Sequence, residues 1–451
     1  MNKTKRFCAI ALAAMMAASA LAACGPEQTA PTTPATPTSS ETTSEPGGST
    51  GGEVEDPLYG EGANGTINLK VWGPDAAQEV LKSQCAEFIE NMKPYGTIEI
   101  EVVPMGEDVA ATQTLTDASA AADVFGFACD NLDRLVTAGV LTELVGADKD
   151  YVVENNSASS VDAATIKNNE TGEEQLWAFP ETGDNSYILV YNKDYVSEDQ
   201  AKTLEGVLEA CKASNKKFVM DAGNGFYSCM FMFTGGLKID GFMEDGVTQK
   251  FTDYDEATVV KTLAAFQDLF TQYKDNILFG EVTKVVDGFK SDSAAAGIDG
   301  SWNFSGAKEA LGDKAGFAVL PTINVDGTDE QIINMFGYKL LGVNSSTKYP
   351  STSIELAKYL SGEKCQQERA EKLNWGPSNK AVAESDVIKN DEALSAILAQ
   401  SEFSVAQKGI ASSFWSPAGT LGSKITDFDN PLSEDDIKKL VDQTIANIKD
   451  E

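Results

Sequence analysis

The 451 residues exceed what one ordinary core takes up and suffice for two lobes of about 150–200 residues each. A formal charge of −34 excludes nucleic acid, whose phosphates need clustered Lys and Arg, and argues against electrostatic docking on anionic lipid. The chain contains no histidine, which removes Ser-His-Asp and Cys-His nucleophile activation, His-ligated metals and His acid–base chemistry. A carboxylate-based glycosidase remains the enzymatic alternative.

Residues 1–6, MNKTKR, are basic, and residues 7–23 are apolar and rich in Ala and Met. This is the layout of a signal peptide, and the run is too short for a comfortable membrane span. It ends Leu21-Ala22-Ala23-Cys24-Gly25. Small residues followed by Cys resemble the lipobox of bacterial lipoproteins, which implies that Cys24 becomes the N-terminus and carries a diacylglycerol. A plain Ala-x-Ala cleavage beside an incidental Cys is the alternative. Residues 26–55 are Pro, Thr, Ser, Gly and Glu with almost nothing apolar, too little to offset chain entropy. The stretch 24–60 reads as a lipidated Cys and disordered linker, a tether partly extended by its prolines. Anchor and tether together hold the folded part at the extracellular face of a cell membrane. The tether's length points to a Gram-positive source. Cys8 and Cys24 belong to this leader. Cys85, Cys129, Cys211, Cys229 and Cys365 show no paired spacing and read as buried free thiols rather than a disulfide framework.

The folded part begins near Thr66. Ile67–Trp72 alternates in period two, as a strand does, and Gly73-Pro74-Asp75 breaks it. Ala77, Val80, Leu81, Phe88 and Met92 then follow helical spacing. Ile98–Val103 and Ala122–Phe127 are further strands. Asp130 stands where it can cap the helix NLDRLVTA, which Gly139 ends. This alternation implies a parallel sheet with helices on both faces. Trp177–Pro180 and Ser186–Asn192 read as extended segments separated by the polar run ETGDN. Helices are predicted over 203–214, 254–274 and 351–360, and strands over 217–221, 294–299, 315–320 and 337–343. A helix-rich stretch runs from about 381 to the end. The fold class is α/β. The expected N-terminal lobe takes 66–181 and about 333–375, and the C-terminal lobe 185–330 and about 376–451. They are joined by extended crossings near 180 and 330. A cleft between such lobes is the usual place for a small ligand.

Five segments then carry a resemblance. FGFACDNLDRLVTAGVLTEL (125–144) has an aromatic at Phe127 and an acid at Asp130. LWAFP…LVYNKDYV (176–196) looks like a hinge crossing, GIDGSWNFSG (297–306) like a strand ending in Trp302, FAVLPT (317–322) like the strand near a second crossing, and FWSPAGTLGSKI (414–425) like a late helix bearing Trp415. Together they resemble the extracellular solute-binding proteins of sugar ABC transporters, in the maltose/maltodextrin-binding branch, over roughly 66–450. The resemblance implies a two-lobed periplasmic-binding-protein-like (type II) fold with a hinge. It also implies capture of an oligosaccharide, most specifically a maltodextrin, and delivery to ABC permease subunits. It implies no catalysis, no cofactor and a monomer. The sequence departs from that pattern in three places. Asn131 replaces a usual basic residue. The hinge-side carboxylate aligns with either Asp184 or Asn185, because the loop has one extra residue. The segment after Asp221 offers only Phe226 or Tyr227 where an acid–aromatic pair is usual.

A sugar ring has apolar C–H faces and a rim of hydroxyls. Flat aromatics bury the faces while Asp, Asn and Glu meet the rim. The resemblance makes Trp302 and Trp415 the stacking residues. Trp72 and Trp375, near strand ends or connections, are divided between ligand and core, and Trp177 is assigned to the core. Asp130 is a ligand contact, a helix cap or both. Phe127, Asp75, Asp184, Asn185, Phe226 and Tyr227 complete the candidate set. Arg134 and Arg369 are the only arginines of the folded part, which disfavours anionic cargo and leaves a neutral sugar ahead of glycerol phosphate. A polyol, a different oligosaccharide or a passive tethered adhesin are further alternatives. No strand-end Glu pair within eight βα units supports a barrel glycosidase. No spaced ligand motif indicates a metal.

Overall fold

A computed structural model describes residues 56–168, 171–243 and 248–449. The leader, Cys24 and most of the tether lie outside the described residues. In chain order, the strands that build the body are β1 (Ile67–Gly73), β2 (Ile98–Pro104), β3 (Val124–Ala128), β4 (Phe179–Asn185), β5 (Tyr187–Asn192), β6 (Lys217–Met220), β7 (Ile277–Phe279), β8 (Ala294–Gly300), β9 (Ala315–Ala318), β10 (Asn334–Val343) and β11 (Ser404–Ala406).

They form two sheets. The first has the order β11-β10-β3-β1-β2, with β4 also on β10; the second has the order β7-β6-β8-β5-β9. β1 runs parallel to β2 and β3, and β6 parallel to β7 and β8. The parallel sheet expected from the alternating elements is therefore present, but each sheet is mixed. β10 is antiparallel to β3 and β4, and β5 is antiparallel to β8 and β9. Both odd strands enter their sheet from the other lobe, so they arrive against its direction.

Central strands are buried along their whole length, as β5 (YILVYN) and β8 (AAAGIDG) show. That suits strands covered on both faces by helices. The helix Gln78–Met92 buries Leu81, Cys85 and Phe88 against the first sheet. The helix Gly225–Thr234 is largely apolar and buried from Tyr227 to Phe233, and begins where the Asn224 side chain accepts from the Phe226 N–H. Each sheet has its own core. Phe88, Phe125, Phe127, Phe179 and Leu340 anchor the first; Tyr187, Tyr227, Phe231, Phe266 and Phe270 anchor the second. Leu58, nine residues before the first residue of β1, is fully buried in the first core.

The run ETGDN, predicted as a loop between two extended segments, is instead the second part of β4, and every residue of it is buried. Three of its polar groups find partners in a later segment of the chain, while Thr182 Oγ1 has none among the described residues. Gly183 N–H donates to the Gly376 carbonyl, Gly376 N–H donates to Asp184 Oδ2 at 2.6 Å, and the Asn185 amide donates to Gln407 Oε1 at 2.6 Å. β4 passes into β5 through Ser186. Ser186 Oγ donates to the Met335 carbonyl at 2.7 Å, while the Asn334 amide donates to Ser186 Oγ at 2.9 Å and to the Tyr187 carbonyl at 2.7 Å. The two crossings are thus stitched side by side. Asn334→Ala is expected to lower the unfolding free energy by about 1–3 kcal/mol, since it leaves the buried Tyr187 carbonyl without this donor. Urea denaturation followed by circular dichroism measures this, with unchanged native ellipticity showing that the fold persists.

Candidate binding cleft

The second sheet supplies an aromatic platform. Trp302 sits on the turn Ser301–Asn303 that follows β8, Phe226 at the start of helix Gly225–Thr234, and Trp415 at the start of helix Trp415–Ile425. Their ring centroids lie 5.9 Å apart for Phe226–Trp302 and 6.4 Å apart for Phe226–Trp415. All three rings are half-buried. Tyr227 is fully buried beneath them, 6.5 Å from Trp302, and Tyr187 of β5 packs on Phe226 at 5.2 Å. The platform's spacing is set by backbone. A Cβ on Gly225 would lie 2.2 Å from the Trp415 carbonyl oxygen, and one on Gly422 2.1 Å from the Ala222 carbonyl oxygen.

The first sheet supplies charge. β4 carries two register shifts against β10, on either side of Lys339. Bulges of this kind re-aim side chains, and here the carboxylates of Glu181 and Asp184 and the Lys339 ammonium converge. Glu107, from helix Glu107–Thr116, pairs with Lys339 at 3.5 Å. The ammonium also stands over two indoles, 4.8 Å from the Trp375 centroid and 5.6 Å from that of Trp302. It therefore joins a first-sheet strand to the second-sheet platform. Burial works against the charge of Lys339, but Glu107, Asp184 and Glu181 outweigh it and hold its pKa above the ordinary lysine range. Burial raises Glu181, opposed chiefly by Arg369, and raises Asp184, opposed chiefly by Lys339.

Of the residues singled out in the sequence, Phe226, Tyr227, Trp302 and Trp415 come together in one cluster. Asp184 and Trp375 adjoin it through Lys339 and Gly376. Asp130 and Asn185 are linked by Gln407, whose amide donates to Asp130 Oδ1 at 3.1 Å while its carbonyl accepts from Asn185. Asp130 makes no side-chain cap to the helix Leu132–Thr137; it accepts from the Asn131 amide instead. Burial pushes its pKa up to about 7. Trp72 is buried 6.4 Å from Phe125 and lines a small cavity with Glu181 and Arg369. Asp75 is exposed on the turn after Pro74. Phe127 is fully buried in the first core against Phe125, apart from the platform. Trp177 packs on the first core. Sequence reasoning missed Tyr187, Glu107, Glu181, Gln407 and Lys339. Lys339 carried a readable signal, as the only charge in the ten-residue strand β10.

Asp299 is a further buried acid, at the end of β8. It accepts from Gly300 N–H and from the Asn303 amide, both at 2.8 Å, while Oδ2 has no partner. Burial pushes its pKa up to about 7. The five described cysteines are buried and unpaired. Among the described residues no group of three His, Cys, Asp or Glu side chains is arranged to hold a metal ion, and no helix is long and apolar enough to cross a membrane.

Residues 84–396 match the model of the bacterial extracellular solute-binding proteins. The chain belongs to that family. A relative in Bacillus subtilis (strain 168), a galactooligosaccharide-binding protein, is 26% identical over 366 residues, 78% of this chain and 82% of its own. A structure solved with acarbose is 28% identical, covers 86% of this chain and 99% of its own, and superposes with a TM-score of 0.75. The ligand-free maltodextrin-binding protein MalE1 from L. casei BL23 is 22% identical, covers 86% and 100%, and has a TM-score of 0.70. The two-lobed fold expected from the sequence is shared with these proteins.

The raised acids carry a consequence for stability. A carboxyl with a folded pKa near 7 and an ordinary value of 3.8 holds a proton that the unfolded chain has released. Its contribution is fully present below about pH 4 and is lost as pH rises through 7. Asp299→Asn is therefore expected to raise the melting temperature at pH 8 and to leave it nearly unchanged at pH 4. Scanning calorimetry of both proteins at the two pH values measures this, and an equal pH dependence in the two would contradict it.

Proposed function

We propose that this family member is the capture component of a sugar ABC transporter. It binds a neutral oligosaccharide of maltodextrin type between its lobes and presents it to a membrane permease. The observation that carries this reading is the platform of Phe226, Trp302 and Trp415, three half-buried rings from three separate elements. Such rings cover the apolar faces of successive pyranoses. Asp184, Asn185 and Asp130 at the crossing supply acceptors for the hydroxyl rim. The lobes close about the two crossings, and a ligand that touches both stabilises the closed form by its differential affinity. The protein acts without catalysis, as a monomer. Cys24 anchors it by lipid at the outer face of the cell membrane, with the residues from 24 to about 55 as tether, since Leu58 is already packed in the first core. The solved relative carrying acarbose favours this choice. The Bacillus subtilis relative supports a second reading, in which the same cleft takes a galactooligosaccharide.

Titration calorimetry against maltose to maltoheptaose, panose, xylo-, fructo- and galactooligosaccharides and glycerol phosphate decides between them. Saturable binding of α-glucans is expected, weakened about 10–100-fold in Trp302→Ala and in Trp415→Ala, the size usual for truncating a buried aromatic anchor. Binding of galactooligosaccharides alone selects the second reading. Small-angle scattering with the bound sugar is expected to show a smaller radius of gyration, and an unchanged radius would remove lobe closure.

A further inference from the structure

Lys339 is an unusual residue for its position. It lies in mid-strand, 5% exposed, facing the register shifts of β4. A buried ammonium has three N–H donors and is costly to leave unbonded. Among the described residues Lys339 has a single anionic neighbour within ion-pairing distance, Glu107 at 3.5 Å, and Glu107 Oε1 itself has no hydrogen bond. The remaining directions point to indoles, Trp375 at 4.8 Å and Trp302 at 5.6 Å. An indole face attracts a cation but accepts no conventional hydrogen bond. Trp302 meanwhile lies against Gly300, where a Cβ would fall 2.3 Å from the ring. The indole is thus backed by main chain on one side, with the ammonium on another.

The charged side chains nearest the lysine are acceptors. Glu107, Glu181 and Asp184 surround the lysine, and Arg369, the second cation nearby, turns its terminal nitrogens elsewhere: Nη1 donates to Gln84 and Nη2 to the Leu360 carbonyl, while Nε has no partner among the described residues. A sugar hydroxyl both donates and accepts. Carboxylates take its proton side, and its lone pairs need an N–H or O–H donor, the strongest being a charged one.

We propose that Lys339 is a specificity-determining residue of the cleft. Its unbonded N–H groups donate to a hydroxyl or ring oxygen of the sugar unit that stacks on Trp302, and they tie that unit to the first lobe. This rests on the sugar-capture reading above. The neutral isostere Lys339→Met removes the donors and keeps the bulk. It also leaves Glu107 buried without its cation, so a stability loss alone would be uninformative. The paired variant Glu107→Gln/Lys339→Met restores charge balance and separates the two roles.

The test is calorimetric binding of the tightest sugar from the panel to wild type, Lys339→Met, Lys339→Arg and the paired variant, with melting temperatures for all four. The expected result is a 10–100-fold loss of affinity in Lys339→Met, the size of one hydrogen bond to a charged group. The paired variant is expected to recover thermal stability but not affinity, and Lys339→Arg to retain more affinity than Lys339→Met. Affinity within threefold of wild type in Lys339→Met, or full recovery of affinity in the paired variant, would overturn the proposal and leave sugar capture standing. Wild-type protein that is folded yet silent across the whole panel would instead remove the capture reading, and this inference with it.

Discussion

The fold depends on a short strip of buried polar residues where two strands pass between the sheets. Ser186, Asn334 and the Tyr187 and Met335 carbonyls exchange hydrogen bonds out of reach of water. Buried polar groups without a partner are costly, so the strip fixes how the chain crosses. The same requirement accounts for the run ETGDN, polar in sequence yet wholly buried. Its neighbours Gly376 and Gln407 come from a segment roughly two hundred residues later and supply the donors and acceptors that the run needs.

From that strip outward the chemistry divides. The second sheet contributes an apolar surface of tilted and edge-packed rings, whose worth lies in area removed from water. The first contributes carboxylates and a single lysine, whose worth lies in direction rather than area. Their burial is unfavourable taken alone, as the raised values of Glu181 and Asp184 record. A site with apolar planes on one side and oriented polar groups on the other matches a molecule that is itself apolar on its faces and polar on its rim.

Much of this was legible in the sequence because it rests on local pattern. The alternation in 67–72 and 98–103, the helical spacing in 77–92, and the strand-ending Trp302 all follow from period and turn chemistry. What escaped was set by distant partners. Nothing near ETGDN announces that Gly376 and Gln407 will pair with it, so it read as a loop. Phe127 stood beside a promising acid, but strand alternation and the packing of Phe125 and Leu141 turn it into the core. Glu107 and Glu181 are ordinary acids until a helix start and a bulged strand bring them over Gly126, whose missing side chain leaves them room. Lys339 was the exception, a lone charge in an apolar strand that composition alone marked as needing an explanation.

The glycines beneath the platform have one more effect. Gly225 and Gly422 let the helices bearing Phe226 and Trp415 touch through main-chain atoms, so the interval between those rings is a hard stop rather than a cushion of side chains. A lineage exploring new cargo can exchange the rings, or reshape the opposite wall, but cannot easily slide one ring past the other. The platform then works as a fixed ruler, and versatility has to be found in the charged lobe that faces it.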